Sequence, residues 1–439
     1  MRRYILLLTM LISVTSFAQK QLTVEEAVQI ALEKNFGIKA ARNTSKMSKN
    51  KATLGNAGLL PKLELNASTS YMDTEQDNVS GSINNQQTVS DGKVDVANTQ
   101  NNASINLSYT LVNGLGNIYN YKKLRLQAEG SHFQTKYKIE TTVFNVVNMF
   151  YAVATQEDNL KRAKEMLQIS NERLVRSEAK TELGTGSSLD VLNARVDYNK
   201  DSVSYISSEK NYLDAKRNLN NALSRDIDTD FHVDLGVVEF KDYKLEDLLD
   251  KAFESNSDYL LSLNKLEQSK YDLKIAKSSI FPTISIKSSY GYNKMNQDFD
   301  LKMDNANASL TTGLTLSWNI FDGRKKSIQK KNARLSIENS EYQLDEQRLN
   351  IRKEISNAYA TYENSLKVLS VEKSNLKSAE MNFNQSKEYY NLGQISSTRF
   401  REAQLNLLTA NNNISAARYI AKVAEMDLNR LCGLIVQQN

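Results

Sequence analysis

Only two prolines occur in 439 residues, Pro61 and Pro282, at an offset of 221. Average usage near 5% would place about 20 in a chain of this length. Proline removes a backbone donor and breaks helix interiors, so a chain nearly free of it tolerates very long helices. Glycine, at 16 residues, is scarce as well.

The two prolines also mark a repeat. Leu59-Leu60-Pro61-Lys62-Leu63-Glu64-Leu65 matches Ile280-Phe281-Pro282-Thr283-Ile284-Ser285-Ile286. At the same offset Val24-Glu25-Glu26 matches Leu245-Glu246-Asp247, and Asn35 matches Asn256. Further on the offset becomes 209. Leu107-Ser108-Tyr109-Thr110-Leu111-Val112-Asn113-Gly114 matches Leu316-Ser317-Trp318-Asn319-Ile320-Phe321-Asp322-Gly323. Leu183-Gly184, Ser187-Ser188 and Ala194 then match Leu392-Gly393, Ser396-Ser397 and Ala403. Two constant offsets in order along the chain identify a tandem duplication.

Each repeat reads as helix, strand, polar loop, strand, very long helix, glycine turn and long helix. Repeat one occupies 19–230, with a β-hairpin over about 60–112 and a helical hairpin over about 115–223. Repeat two occupies 231–439, with a β-hairpin over about 281–321 and a helical hairpin over about 323–431. The strands alternate with period 2. Leu63, Leu65, Ala67, Thr69 and Tyr71 share one face, as do Leu310, Thr312, Leu314, Leu316 and Trp318. Each run has the length a tilted strand needs to cross a bilayer, roughly 9–11 residues. The Asn-rich segments 72–102 and 293–307 carry no core pattern and read as exposed loops. In the long helices, Ile355, Ala358, Tyr362, Leu366, Leu369 and Leu376 step by three and four, and Leu160, Ala163, Leu167 and Leu174 do the same. That is the seam of a coiled coil.

Compartment follows from residues 1–18. Arg2 and Arg3 precede an apolar run from Ile5 to Val14, with Ser16 and Ala18 at the small-residue positions of a cleavage site. This is the pattern of a signal peptide, and the run is too short for a membrane span of about 20 residues. No cysteine follows the cut to carry a lipid, and Cys432 is the only cysteine, so neither a disulfide framework nor a cysteine metal cluster is expected. The two histidines are His132 and His232, and no nucleophile–base pair or carboxylate dyad has catalytic spacing. An enzyme is not expected, nor is any cofactor or metal. With 56 basic and 51 acidic residues evenly mixed, no nucleic-acid partner is expected either.

Four membrane strands cannot close a barrel, and open strand edges do not survive in lipid. Several copies must share one barrel. This ordered set of features resembles the TolC-like outer-membrane efflux protein family over the whole mature chain. The resemblance rests most on the corner Trp318-Asn319-Ile320-Phe321-Asp322-Gly323-Arg324 and the segments 183–192 and 392–400. It implies a mainly α fold with membrane β: a homotrimer with a twelve-stranded barrel, four strands per protomer, continued by a periplasmic α-helical coiled-coil barrel. It implies an exit duct in the outer-membrane lipid. The expected partners are a periplasmic adaptor (membrane fusion) protein and an inner-membrane transporter of the resistance-nodulation-division (RND) or ABC type. It also implies a gate at the helix tips, where Asp190 bonds Tyr390 beside Gly184 and Gly393. Where the family carries an aspartate ring, this chain has Arg399, with Glu402 three residues on. Asp190 also suits a helix start by charge alone, and the two glycines suit helix termination. Tyr71, Tyr109, Tyr290 and Trp318 read as membrane-interface aromatics or as inter-strand packing. A periplasmic or surface coiled-coil stalk or adhesin would explain the helices but not the paired amphipathic strands.

Overall fold

A computed structural model describes residues 21–83, 86–236, 238–298 and 303–435. The expected signal peptide, 1–18, lies outside the described residues. In chain order the elements are β1 (Gln21–Leu22), α1 (Val24–Lys34), α2 (Phe36–Lys51), β2 (Lys62–Ile83), β3 (Gln86–Val112), α3 (Gly116–Glu182) and α4 (Ser188–Ala222). Then follow β4 (His232–Val233), α5 (Leu245–Ser255), α6 (Ser257–Ser278), β5 (Thr283–Asp298), β6 (Met303–Ser317), α7 (Lys325–Asn391) and α8 (Ser397–Leu431). The absence of proline is realised in full: α3 and α7 each run 67 residues, and α4 and α8 each run 35. Among the described residues no helix is long and apolar enough to cross a membrane.

The chain forms two compact units. One comprises 21–45, 132–262 and 344–435. Its main core takes Val143, Val146, Val147, Phe150, Val153 and Ala154 from α3, a three-and-four spacing that puts them on one helix face. Ala27 and Ala31 of α1 and Leu219 of α4 pack against that face. Leu22, at the end of β1, is buried there too, because β1 pairs in parallel with β4 and so ties the first described residues to the connector between repeats. Two-residue strands carry no periodic signal, and the sequence did not reveal this pair.

Each repeat opens on two abutting helices rather than the one expected. The backbone leaves helical geometry at Asn35 (φ −58°, ψ 124°) and again at its repeat mate Asn256 (φ −66°, ψ 123°). Both carboxamide oxygens cap the following helix, Asn35 accepting from the Ile38 amide and Asn256 from the Tyr259 amide. A side chain that satisfies orphan amide donors makes a break cheap.

In the seam of α7, Ile355, Tyr362 and Leu369 are buried, with Leu366 and Leu376 at its border, as the spacing anticipates. On α3, Ala163 is buried as expected, but from there the buried line runs through Met166, Ser170, Arg173 and Ser177, one step from the Leu167 and Leu174 expected there. Arg173 finds a carboxylate on α4, and small Ser170 admits close approach, so polar residues take the centre.

The other unit comprises 46–131 and 263–343 and holds a four-stranded antiparallel sheet in the order β2-β3-β5-β6. The segments expected as loops are largely strand. The β2–β3 ladder continues to Ile83↔Gln86, and β5 pairs with β6 as far as Gln297↔Met303. A ladder is held by backbone hydrogen bonds and needs no apolar face, which is why an Asn/Ser/Thr-rich hairpin leaves no periodic trace. At the strand-to-helix corners, Gly114 and Leu115 are both left-handed (φ 63° and 67°), and so are Gly323 and Arg324 (φ 63° and 70°). Asn113 and Asp322 then cap α3 and α7, accepting from the amides of Asn117 and Lys326.

Candidate functional site

The sheet register sorts the strand residues into two faces. Leu65, Ile105, Tyr290 and Leu310 are successive cross-strand partners across all four strands. Tyr109, Ile286 and Leu314 form a second such row, and Val112, Ile284 and Leu316 a third. Most of these side chains face solvent, with Leu65, Tyr290, Leu310 and Leu314 all exposed. The opposite face carries the row Glu64, Asn106, Ser289 and Thr311, where the Ser289 hydroxyl donates to Asn106 Oδ1 at 2.7 Å. Below it, Asn293 donates to Asn102 at 2.7 Å. A mainly apolar face, interrupted by the hydrogen-bonded pair Ser288 and Thr312, backed by a polar face is the arrangement of a barrel wall between lipid and water. Tyr109 and Tyr290 lie within the apolar rows. Tyr71 lies farther along the same face of β2, opposite Thr99. Trp318 sits just past β6, 56% exposed, its indole N–H donating to the Ile280 carbonyl at 3.1 Å.

The helix tips lie in the other unit. Gly184 and Gly393 are left-handed, at φ 71° and 75°. In each, the glycine amide and the next amide donate back to the last turn: Gly184 to Thr181 and Thr185 to Lys180, Gly393 to Tyr390 and Gln394 to Tyr389. This paired bonding is the helix stop for which glycine is favoured. Ser187 and Ser396 cap the return helices, accepting from the Leu189 and Arg399 amides. Asp190, in the first turn of α4, is exposed, as are Arg399 and Glu402.

Tyr390 is buried, but no hydrogen bond joins it to Asp190 among the described residues. Its ring stacks on Phe400 (centroids 4.8 Å apart, interplanar angle 10°), and Phe383 stacks on the far side of Phe400 at 5.8 Å. From α3, the Arg176 guanidinium stands 5.3 Å from the Tyr390 ring centre, and Lys180 Nζ 5.8 Å. Arg176 also donates to Asn391 at 2.7 Å. Within the chain the Tyr390 ring is met by cations of the first hairpin on an aromatic stack of the second. The phenol ring engages its neighbours by its face, and a cation–π contact there favours Arg and Lys over carboxylate.

Above the tips lies a buried charge network that sequence reasoning missed. Arg401 on α8 makes a two-pronged ion pair with Asp201 on α4, at 2.8 and 2.6 Å, with the residues only 7% and 6% exposed. Asp197, one turn earlier, is 3.9 Å from Arg401 and also binds Arg173 of α3. A planar guanidinium with a fixed fork is the cation suited to such a site. Charged residues on coiled-coil helices ordinarily face water, so nothing in the sequence marked these four.

The remaining chemistry-bearing residues are scattered. Cys432 is buried against the Leu248 carbonyl, and burial pushes its thiol up to about 11. His232 Nδ1 lies 2.7 Å from Glu157 Oε1, and His132 is exposed. Among the described residues no cluster of His, Cys, Asp and Glu could hold a metal ion.

A sheet with lipid-type and water-type faces, joined to paired long helical hairpins, is the architecture of an outer-membrane channel protomer. The chain belongs to the outer membrane efflux protein family, whose model matches residues 27–225 and 248–434. It is 20% identical over 362 residues to the outer membrane protein TolC of Escherichia coli, spanning 78% of this chain and 72% of that one. Its fold is similar to the CmeC outer membrane channel of Campylobacter jejuni (TM-score 0.77, 18% identity, 93% of this chain and 85% of that one). It is also similar to VceC of Vibrio cholerae (TM-score 0.71, 16% identity, 93% and 96%). The protein resides in the outer membrane.

Proposed function

We propose that this chain is one protomer of a homotrimeric exit duct, in which three copies of the sheet close a twelve-stranded barrel. The carrying observation is the sheet itself, with one apolar face and two open edges, β2 and β6. Unpaired edge groups in hydrocarbon each cost several kcal/mol, so the edges must be covered. The four strands alternate in direction, so β6 of one copy runs antiparallel to β2 of the next. Repetition of that pairing closes a barrel with an even strand number, and three copies is the smallest closure that leaves an aqueous lumen in keeping with the polar face.

The helices of each copy then continue the duct into the periplasm as a coiled-coil barrel. Gly184, Asp190, Tyr390, Gly393, Arg399 and Glu402 mark its gated entrance. A periplasmic adaptor protein docks there and links the duct to an inner-membrane transporter of the RND or ABC type. Native mass measurement in detergent tests the assembly, with a mass three times that of the mature chain expected. One cysteine placed on β2 and one on β6 should cross-link into a closed trimer, and a stable monomer would overturn the reading.

A further inference from the structure

All four junctions between sheet and helices lie at one end of the sheet, since Lys62 pairs with Ser108 and Thr283 with Ser317. Two kinds of residue collect there. The first is large and apolar: Ile320 and Phe321 are 83% and 80% exposed, and Phe281, Leu115 and Leu60 are exposed too. The second is basic. From 324 to 334 the chain reads Arg324, Lys325, Lys326, Lys330, Lys331 and Arg334 with no acidic residue among them. Lys49 and Lys51 end α2, Lys122 and Arg125 lie in the first turns of α3, and Lys277 closes α6.

Local carboxylates do not neutralise this collar. Asp272 is taken by Lys123 at 2.5 Å and Glu267 by Lys270 at 2.6 Å. Asp322 is spent on the Lys326 amide at the head of α7. Among the described residues none of Arg324, Lys325, Lys330, Lys331 and Arg334 has a carboxylate within ion-pair distance. The stretch is also misplaced for helix stability, because cations at a helix N-terminus oppose the macrodipole. Arg324, Lys325 and Lys326 stand at that N-terminus, and with Lys330, Lys331 and Arg334 in the next turns they call for an external negative partner.

We infer that this collar binds the phosphate headgroups of anionic glycerophospholipids in the leaflet facing the periplasm. Exposed Trp318, Ile320 and Phe321 fill the acyl-to-headgroup boundary, where amphipathic aromatics settle. The adjoining Lys and Arg stems reach along them to put their charges at phosphate level. A soluble acidic protein would satisfy the cations but would leave the apolar residues beside them in water. The inference rests on the sheet being the segment that crosses the membrane.

Trp318 is the only tryptophan, so its fluorescence reports directly on this corner. The trimer is reconstituted in vesicles carrying brominated phosphatidylglycerol or brominated phosphatidylcholine, whose bromines quench indole on contact. At about 0.1 M salt the anionic lipid should bind at least about threefold more strongly, and the preference should vanish near 1 M, where screening falls to about 3 Å. A variant combining Arg324→Gln, Lys325→Gln, Lys330→Gln, Lys331→Gln and Arg334→Gln should bind both lipids equally while retaining its trimeric mass. Equal quenching in the unmodified protein, or an undiminished preference in the variant, overturns the inference. So does a variant that keeps its lipid preference but shifts its reversal potential in a salt gradient, since the cations would then line the conduit. If neither lipid quenches Trp318, the sheet is not in the membrane at this level, and the duct reading itself fails.

Discussion

The side-chain amide of Asn256 donates to the Leu431 carbonyl at 2.8 Å, and that of Asn35 donates to the Ala222 carbonyl at 2.8 Å. Asn35 and Asn256 are repeat mates at offset 221, and Ala222 and Leu431 at offset 209. The duplication has therefore kept a bond that ties the helix break opening each repeat to the last turn of its return helix. Asn256→Ala should cost about 1–3 kcal/mol, because a buried carbonyl loses its donor and two amides lose their cap. Asn256→Asp keeps the cap but sets a carboxylate oxygen against the Leu431 carbonyl, so it should cost no less than Asn256→Ala. Asn35→Ala, at a partly exposed site, should fall below Asn256→Ala. Thermal unfolding of the purified variants reads the order, and equal costs at both sites would show that burial does not control it.

Arg401 and Asp201 should behave as a coupled pair. Arg401→Met leaves Asp201 and Asp197 short of a cation in a buried site, and a loss of about 3–5 kcal/mol is expected. Adding Asp201→Leu should recover much of that, since an apolar pair of similar volume substitutes well for a buried ion pair. A double-mutant cycle on unfolding free energy measures the coupling. Additive losses would mean that the two side chains do not depend on each other.

At the entrance, the aromatic stack and the exposed acid should separate. Asp190→Ala should lower stability by no more than about 1 kcal/mol, the usual value of an acidic residue at a helix start, and leave resting conductance unchanged. Tyr390→Ala removes the stack on Phe400 and the seat of Arg176, and should raise resting conductance in planar bilayers without any partner protein. Arg399→Asp beside Glu402 should increase block by multivalent cations. A conducting Asp190→Ala variant with intact stability would restore the carboxylate as the gate element.

Ser224 and Gly433 are repeat mates at the ends of α4 and α8, both left-handed at φ 52° and 67° with the same backward amide bonds. Holding a residue with a Cβ there costs about 1–2 kcal/mol. Ser224→Gly should therefore stabilise the protein by up to about 1 kcal/mol, after losing the 3.4 Å bond that the Ser224 hydroxyl accepts from the Phe36 amide. Gly433→Ala should be strongly destabilising, since its Cβ would lie 2.3 Å from the Ser255 carbonyl. Melting temperatures that move in the same direction would contradict this assignment.

The strand–helix order and the glycine stops at 184 and 393 were legible because each is local, and the duplication because those local signals recur in order at constant offsets. Proline absence permits long helices, period 2 marks a two-faced strand, and a C-terminal glycine needs only its own left-handed backbone. Trp318 at the corner and the apolar rows through Tyr109 and Tyr290 follow from that same alternation once β3 pairs with β5. Other features depend on partners distant in sequence. The polar extension of the hairpins is held by backbone bonds that carry no side-chain pattern. Asn35 and Asn256 break helices because a carbonyl 187 or 175 residues away completes their bonding. Arg401, Asp201, Asp197 and Arg173 look like ordinary solvated charges until three helices bring them together. Tyr390 turns to Phe400 and Arg176 because the packing of two hairpins, rather than the spacing within either, decides which face of the ring is met by what. Periodicity records which side of an element is buried; only the tertiary structure records against whom.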